Sequence, residues 1–276
     1  MGKVRQRTEE KELLEQQLEE NLGNIKHTLI IISGKGGVCK STVASNIAFA
    51  LSQDESKKIG LLDADIDGPN IPKMLGLENG NITGYGEDKR FEPVSLRPNL
   101  GIISMAFFLP DRYSPVIWRG PLKAGAIKQF LGQVRWGKLD YLVVDLPPGT
   151  GDAPLSVAQL IKNISGAIVV TTPQDVALLD SRKAINFARK LDVPVVGILE
   201  NMSGLICPKC GEKIDLFKTG GGKEAAAEMG VPFLGRIPID PEIVKSGDSG
   251  KPFVETFPES VATKAFMEVV RKVVSE

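Results

Sequence analysis

The chain has 276 residues, of which 42% are apolar and 25% charged, and 34 basic side chains balance 34 acidic ones. The zero formal net charge gives no global preference for nucleic acid or an anionic membrane, and no run approaches the ~18 apolar residues of a membrane span. Three cysteines do not suggest a secreted disulfide framework, and the charged start of the chain is unlike a signal peptide. We therefore expect a cytoplasmic protein without nucleic-acid or membrane partners.

Residues 1–24 are rich in Glu, Gln and Lys, with Leu14, Leu18 and Leu22 spaced four apart. This pattern predicts a charged helical extension with a narrow apolar stripe, either docked on the protein or frayed. A solvated leader helix is favoured over a protein-binding role. Residues 25–276 contain no repeat and no evident linker, so we expect them to form a single domain.

The next segment has the pattern of a phosphate-binding loop. An apolar run, Leu29–Ile32, predicts a strand, and Val43–Leu51 has helical spacing. In such loops the backbone N–H groups surround an anion, Lys40 reaches the β- and γ-phosphates, and the Ser41 hydroxyl binds Mg²⁺. The alternative is a glycine-rich turn without a ligand. The predicted nucleotide-binding residues of the loop are Gly34, Lys35, Gly36, Gly37, Val38, Cys39, Lys40, Ser41 and Thr42.

Cys39 stands where the pattern G-x-x-x-x-G-K-[ST] has its second glycine. Glycine permits close approach to phosphate or an unusual backbone conformation, and any Cβ intrudes there. A thiol at a helix N-terminus also tends towards the thiolate, whose charge repels phosphate. We expect the loop to keep its fold while nucleotide affinity and ATPase activity fall.

Six further strands are predicted, with helical patterns between most of them. The strands are Ile59–Leu62, Gly101–Ala106, Tyr141–Asp145, Ala167–Thr171, Val195–Leu199 and Pro232–Gly235. The helices are Pro121–Val134, Pro154–Lys162, Val176–Leu191, Lys223–Met229 and Ser260–Glu276. Residues 78–99 are rich in turn-forming and charged residues and predict a long loop or a small hairpin. The expected fold is α/β and doubly wound, with about seven mostly parallel strands and helices on both faces.

Carboxylates follow two of these strands at the points where the strands end. Asp63 and Asp65 follow the second strand, and Asp145 ends the fourth. Because ligands of open parallel sheets bind beyond the carboxyl ends of the strands, these side chains should lie beside the phosphate-binding loop. There they can hold Mg²⁺ or orient an attacking water. For Asp67 and Asp152, capping of a turn is as well supported as function.

Lys35 is a second lysine within the loop. It lies too near its own phosphates to fold back on them easily, but it could reach the nucleotide of a second subunit and stabilise charge in the transition state. The lone histidine, His27, is assigned no function.

Cys207 and Cys210 form a C-x-x-C motif after the sixth strand. Two such thiolates can bind one metal, but tetrahedral Zn²⁺ or a 4Fe–4S cluster needs four ligands. The chain has no second C-x-x-C and Cys39 lies in the nucleotide loop, so four ligands can come only from two copies of the chain. A thiol–disulfide pair and a turn without function are the alternatives, and the flanking residues favour metal.

Together these motifs resemble the Mrp/ApbC family of iron–sulfur cluster carriers. That family belongs to the P-loop ATPases with a signature lysine, alongside MinD, ParA and the nitrogenase iron protein. The resemblance extends from about Ile25 to the C-terminus. It rests on the motifs Gly-Lys-Gly-Gly-Val-x-Lys-Ser-Thr, Asp-Ala-Asp-Ile-x-Gly-Pro-Asn-Ile-Pro, Trp-Arg-Gly-Pro, Asp-Leu-Pro-Pro-Gly-Thr-Gly-Asp, Glu-Asn-Met-Ser and Cys-Pro-x-Cys-Gly.

The resemblance implies a homodimer that binds a 4Fe–4S cluster between its paired C-x-x-C motifs and passes it to apo iron–sulfur proteins. It also implies slow ATP hydrolysis, with Lys35 as the signature lysine and Asp65 acting on the attacking water. Asp145 would lie in the Mg²⁺ shell and Asn201 would recognise adenine. The family's glycine is absent at Cys39, which affects the expected ATP binding and hydrolysis but not the cluster site.

Two other functions stay open. A MinD- or ParA-like positioning ATPase predicts a basic face or a membrane helix, against which the zero net charge and the modest valine stripe of the last helix argue. It also leaves Cys207 and Cys210 without a role. A dimer held by structural Zn²⁺, without cluster transfer, cannot be separated from a cluster carrier by sequence, because thiolates accept both metals.

Overall fold

Eight strands pair into one sheet in the part of the chain that the structure describes. This computed structural model describes residues 2–84, 88–111, 113–161, 163–207 and 209–275. The strands of the sheet are β1 (Ile25–Ile32), β2 (Ile59–Asp63), β3 (Val94–Arg97), β4 (Leu100–Ser104), β5 (Leu139–Asp145), β6 (Gly166–Thr171), β7 (Val195–Glu200) and β10 (Phe233–Arg236). A separate hairpin consists of β8 (Leu205–Ile206) and β9 (Lys213–Ile214).

The strand order is β10-β7-β6-β1-β5-β2-β4-β3, and every pairing is parallel except that of β3 with β4. The β-branched and leucine-rich central strands are buried on both faces, as expected of parallel strands. In β1, Leu29 and Ile31 belong to one buried cluster and Ile30 and Ile32 to the other. The predicted doubly wound α/β fold is confirmed.

Helices cover both faces of the sheet. They are α1 (Gly2–Gly23), α2 (Lys40–Leu51), α3 (Ile71–Met74), α4 (Gly120–Gly132), α5 (Asp152–Leu160), α6 (Asp175–Lys190), α7 (Gly221–Met229), α8 (Pro241–Ser249), α9 (Phe253–Thr256) and α10 (Val261–Ser275). The predicted helix ends at Lys162 and Glu276 lie outside the described residues. The last helix, α10, packs on α2 and β10. None of the helices described is both long and apolar enough to span a bilayer.

The structure contains several elements that were not predicted. Strand β3 lies within the segment predicted as a loop or small hairpin, so the prediction of about seven strands was one too few. It pairs antiparallel with β4 because the chain turns between Arg97 and Leu100. Within this turn the Asn99 side chain donates to the carbonyls of Ser52, Asp54 and Lys57. Helices α3, α8 and α9 and the β8–β9 hairpin are also absent from the predictions.

Helix α1 docks on α4. Leu18 and Leu22 are buried, and Asn21 Nδ2 lies 2.7–2.8 Å from three carbonyl oxygens at the end of α4 and just beyond it. The carbonyls of Leu131 and Gly132 belong to the last turn of α4 and have no partner within the helix, so the amide donates to acceptors that would otherwise be buried without a partner. Ion pairs from Glu15 to Lys128 and from Glu20 to Arg90 lie beside this contact.

Candidate nucleotide and metal sites

The phosphate-binding loop joins the end of β1 to the start of α2. A Cβ at Gly34 would lie 2.0 Å from the carbonyl oxygen of Asp180 in α6, so only glycine fits this close approach. Gly36 and Gly37 are exposed and Val38 is buried. The loop thus presents backbone to solvent while one side is fixed against α6.

The two polar side chains that begin α2 bond to one buried carboxylate. Lys40 Nζ lies 2.6 Å from Asp145 Oδ1, and the Ser41 hydroxyl donates to Asp145 Oδ2 at 2.5 Å. Lys40 is only 6% exposed and Asp145 is fully buried, so this is a desolvated ion pair with both carboxylate oxygens engaged. The structure therefore brings together Lys40 and Ser41 of the phosphate-binding loop and Asp145, which was predicted from a separate motif.

Asp63 lies directly beside Asp145, because the two residues are partners in the register of β2 with β5. Asp63 Oδ2 accepts hydrogen bonds from the Ser104 hydroxyl at 2.9 Å and from the Ile71 N–H at 3.3 Å. Burial, and then the neighbouring Asp145 charge, raise the pKa of Asp63 from 3.8 to about 8. Burial also raises the pKa of Asp145, against the effect of Lys40 and Ser41. Two carboxylates and a hydroxyl are the hard oxygen donors that suit Mg²⁺.

We expect Asp63→Asn to be more stable than the parent chain at pH 8 by at least about 2 kcal/mol, with little difference near pH 4. The raised pKa means that the folded state retains a proton that the unfolded state releases. Stability from this proton is complete below the unfolded pKa of 3.8 and is lost as the pH rises through about 8. Urea unfolding of the nucleotide-free protein at pH 4, 6 and 8 measures the difference. The exposed neighbour, Asp67→Asn, serves as control, and a pH-independent difference for Asp63→Asn would contradict the prediction.

Asp65 is half-buried and lies just beyond Asp63. Its backbone N–H donates to Asp63 Oδ1 at 3.3 Å, and its own Oδ1 accepts from the Gly68 N–H at 3.4 Å. It is close enough to Asp145 for its charge to raise the Asp145 pKa. Asp67 is instead exposed and paired with Lys123 at 2.5 Å. Asp65 therefore lies near Asp145, and its carboxylate accepts one long hydrogen bond, from the Gly68 N–H.

Lys35 and Asn201 are the two remaining residues that the sequence assigns to the nucleotide site. Lys35 is partly exposed, and no ion pair of its side chain occurs within the described ranges. Asn201 is buried, and its Nδ2 donates to the Val38 carbonyl at 3.0 Å. The amide therefore supports the loop in this structure, and its contact with adenine stays a prediction.

Cys39 has left-handed backbone torsions, φ 58° and ψ 42°, which glycine adopts without a steric penalty. For a residue with a Cβ this conformation costs roughly 1–2 kcal/mol. Desolvation by surrounding protein raises the pKa of the Cys39 thiol, although part of the side chain is exposed and a hydrogen bond with Thr42 acts in the opposite direction. Burial is the larger of these two effects, so the raised pKa is opposite to the expected tendency towards the thiolate.

Replacing Cys39 with glycine should raise ATP affinity about tenfold, or 1.4 kcal/mol, and raise the free energy of unfolding by up to about 1 kcal/mol. The gain has two sources: the Cβ beside the phosphate site is removed, and the left-handed torsion is relieved. Equilibrium ATP titration and urea unfolding measure the two effects. Cys39→Ala is the matched control, because it removes the sulfur but keeps the Cβ, and its affinity should stay low. Equal ATP affinities for Cys39→Gly and the parent would refute this account.

A cavity of about 260 Å³ adjoins Cys39 and the first turns of α2. Its apolar lining includes Ile243 and Val244 of α8 together with Met74, Leu75 and Phe253. Helix α8 was missed in the sequence, although its start signal was present: Pro241 occupies the first turn and Asp240 caps the helix by accepting from the Glu242 N–H at 2.9 Å.

The C-x-x-C motif lies at the tip of the β8–β9 hairpin, within residues 203–220, which we name the cysteine segment. Cys207 N donates to the Glu212 carbonyl at 2.8 Å, and Gly211 N donates to the Cys207 carbonyl at 2.9 Å. The Cys207 sulfur accepts backbone hydrogen bonds from Cys210 and Lys209, which lower its pKa. All three cysteines of the chain are free. No cluster of three or more His, Cys, Asp or Glu side chains that could hold a metal ion occurs in the part of the chain that the structure describes, and the hairpin itself contributes the thiols of Cys207 and Cys210.

Glu200, the last residue of β7, has no role in the sequence-based predictions. It is fully buried and accepts hydrogen bonds from both ends of the cysteine segment. The available signal was an acidic residue at the end of an otherwise apolar strand, Val195–Glu200, where burial of a charge requires partners.

Comparison with known proteins identifies the family. The ParA family model described as "NUBPL iron-transfer P-loop NTPase" matches residues 24–274. The iron–sulfur cluster carrier protein of Methanocaldococcus jannaschii is 49% identical over 269 residues, which cover 96% of this chain and 91% of that protein.

Solved structures agree with this match. A nucleotide-binding protein of Archaeoglobus fulgidus, in complex with ADP, is 40% identical with a TM-score of 0.75, covering 86% of this chain and 92% of that chain. The cell division ATPase MinD of Pyrococcus furiosus, at 24% identity, shares the fold with a TM-score of 0.68 over 91% of this chain and 99% of that one. By the family match and these identities, the chain belongs to the NUBPL-type iron-transfer P-loop NTPases of the ParA group.

Proposed function

We propose that this protein is an ATP-dependent carrier of a 4Fe–4S cluster, which two copies of the chain hold between them and pass to recipient apo iron–sulfur proteins. The observation that carries the proposal is the arrangement of Cys207 and Cys210 on an exposed hairpin. Backbone N–H groups donate to the Cys207 sulfur and favour its thiolate, the form that binds metal. The name of the Methanocaldococcus relative supports the same cargo.

Two thiolates are half of a four-thiolate coordination set, and a two-fold axis supplies the other half. The hairpin also carries apolar side chains next to the cysteines: Ile206 is 47% exposed and Ile214 40%. A second copy of the hairpin would cover these side chains while it completes the ligand set. The homodimer is thus supported by chemistry and by exposed surface together.

ATP would bind along the phosphate-binding loop, with its base against the apolar lining of the 260 Å³ cavity, which includes Ile243 and Val244. Mg²⁺, when bound, would neutralise phosphate charge, and Ser41, Asp145 and Asp63 are the residues that would hold it. The Lys40 ammonium, now paired with Asp145, would then be free for the phosphates. Asp65 would orient the attacking water, and Lys35 would reach the nucleotide of the partner subunit.

The carrier function is favoured over a positioning ATPase. The MinD likeness at 24% identity is one of fold, whereas the carrier relative is 49% identical over almost the whole chain. A positioning ATPase also has no use for a pair of thiols on a hairpin. We also propose that the protein acts in the cytoplasm, as expected from its sequence.

Anaerobic reconstitution with iron and sulfide, followed by metal analysis and size determination, tests the proposal. We expect one 4Fe–4S cluster per two chains, a dimer that depends on the cluster, and transfer of the cluster to an apo acceptor. If the anaerobically purified protein contains zinc and cannot be reconstituted with a cluster, the carrier function would be refuted in favour of a dimer held by structural zinc. A full cluster on a single chain would contradict the shared site.

A further inference from the structure

The cysteine segment, residues 203–220, is closed at its base by one buried carboxylate. Glu200 Oε1 accepts from the Ser203 hydroxyl and, at 2.9 Å, from the Gly220 N–H, while Oε2 accepts from the Gly222 N–H. Ser203 is the first residue of the segment and Gly220 the last. Both ends of the segment therefore meet on a single oxygen atom.

Hydrogen-bond donors and one cation surround the Glu200 carboxylate. The N-terminus of α7, whose first turn includes Gly222, directs its backbone donors at the carboxylate, and Arg236 Nε lies 3.5 Å from Oε1. Because the side chain is fully buried, these hydrogen bonds are shielded from water and hold a fixed geometry. An amide in its place could not satisfy the same set of donors, since one of its two polar atoms is itself a donor.

The base of the segment is also connected to the nucleotide side of the protein. Ser203 N donates to the Ile237 carbonyl at 2.9 Å and Ile239 N to the Gly204 carbonyl at 2.8 Å, and the chain from Ile239 continues into α8. Asn201, next to Glu200, donates to the Val38 carbonyl of the phosphate-binding loop. Glu200 and the base of the cysteine segment are therefore hydrogen-bonded, through neighbouring residues, to the segment before α8 and to the phosphate-binding loop.

We propose that Glu200 is the positioning residue of the metal site: by closing the base of the cysteine segment it holds Cys207 and Cys210 in the geometry that retains metal. It touches neither sulfur and acts through the hydrogen bonds of Ser203, Gly220 and Gly222. This inference rests on the proposed function, because it requires that the two cysteines bind metal.

The test uses the full chain loaded anaerobically with cobalt(II) alone, whose thiolate charge-transfer absorption reports the ligand geometry. We expect Glu200→Gln to release cobalt to a chelator about tenfold faster than the parent and to change the charge-transfer spectrum, while ADP affinity is retained. Glu212→Gln is the matched control, since it removes the same charge from an exposed side chain of the same segment. Its release rate and spectrum should equal those of the parent.

A second variant keeps the test decisive if Glu200→Gln does not fold. Ser203→Ala removes one of the hydrogen bonds to Glu200, and we expect cobalt release about threefold faster. Release rates and spectra equal to those of the parent in the folded variants would overturn the role of Glu200. If the parent chain instead binds cobalt no better than Cys207→Ala, the proposed metal site itself fails, which is a separate result.

Discussion

Substitution of Asp65 by Ala is expected to lower the rate of ATP hydrolysis by at least about 10²-fold, with a change in ATP affinity of less than about threefold. Asp65 lies beyond the paired Asp63 and Asp145, and its own carboxylate accepts only a long hydrogen bond of 3.4 Å from Gly68 N–H among the bonds described for it. It is therefore available to orient a water. It bonds to no residue of the phosphate-binding loop in the described structure, so nucleotide binding should be spared.

Steady-state turnover and an equilibrium ATP titration on the same preparation separate the two effects. Asp67→Ala is the matched control, since it removes the next carboxylate of the same loop, which is exposed and paired with Lys123. Its turnover should equal that of the parent. Turnover of Asp65→Ala at the parental rate would remove Asp65 from the mechanism, and an equal loss in both variants would assign the effect to loop structure.

Cys207→Ala and Cys210→Ala are each expected to abolish cluster binding and cluster-dependent dimerisation. Loss of one thiolate per chain leaves a symmetric pair with two ligands, which cannot complete a four-thiolate site. ATP affinity should stay within about twofold of the parent value, because the hairpin lies outside the nucleotide loop. Iron and sulfide content after anaerobic reconstitution, together with size determination, measures the loss.

Cys39→Ala provides an internal control for these variants, since it removes the remaining cysteine of the chain and leaves the hairpin intact. It should bind a cluster and dimerise as the parent does. A cluster lost in Cys39→Ala but kept in Cys207→Ala would place the metal at the nucleotide loop and reverse our assignment.

The sheet could be predicted from the sequence because its strands are short apolar runs separated by helical patterns. The region around β3 could not, because Val94–Arg97 is half-buried at the edge of the sheet and surrounded by turn-forming residues. Its pairing depends on β4, a contact that no local pattern encodes. Docking of α1 was left open for the same reason, since it depends on the carbonyls at the end of α4 that Asn21 reaches.

The candidate site divides in the same way. Proximity of Lys40, Ser41, Asp63 and Asp145 follows from motif spacing and from the rule that strand ends meet at one edge of a sheet. The desolvation that raises the pKa of the Cys39 thiol depends instead on neighbouring elements, and its prediction from helix position alone was wrong. The hydrogen bonds from Ser203, Gly220 and Gly222 to Glu200 likewise depend on the tertiary structure and could not be predicted from local sequence.

Because Ser203 and Gly220 bond to the same oxygen of Glu200, the points where the cysteine segment leaves and rejoins the core are as close as the ends of a tight turn. A short linker could replace everything between them without displacing β7 or α7. We therefore expect that the cysteine segment can be removed as a unit, leaving the sheet and the phosphate-binding loop in place. If the segment binds metal as we propose, grafting it between the corresponding strand and helix of a related protein should make pairing of that protein depend on metal.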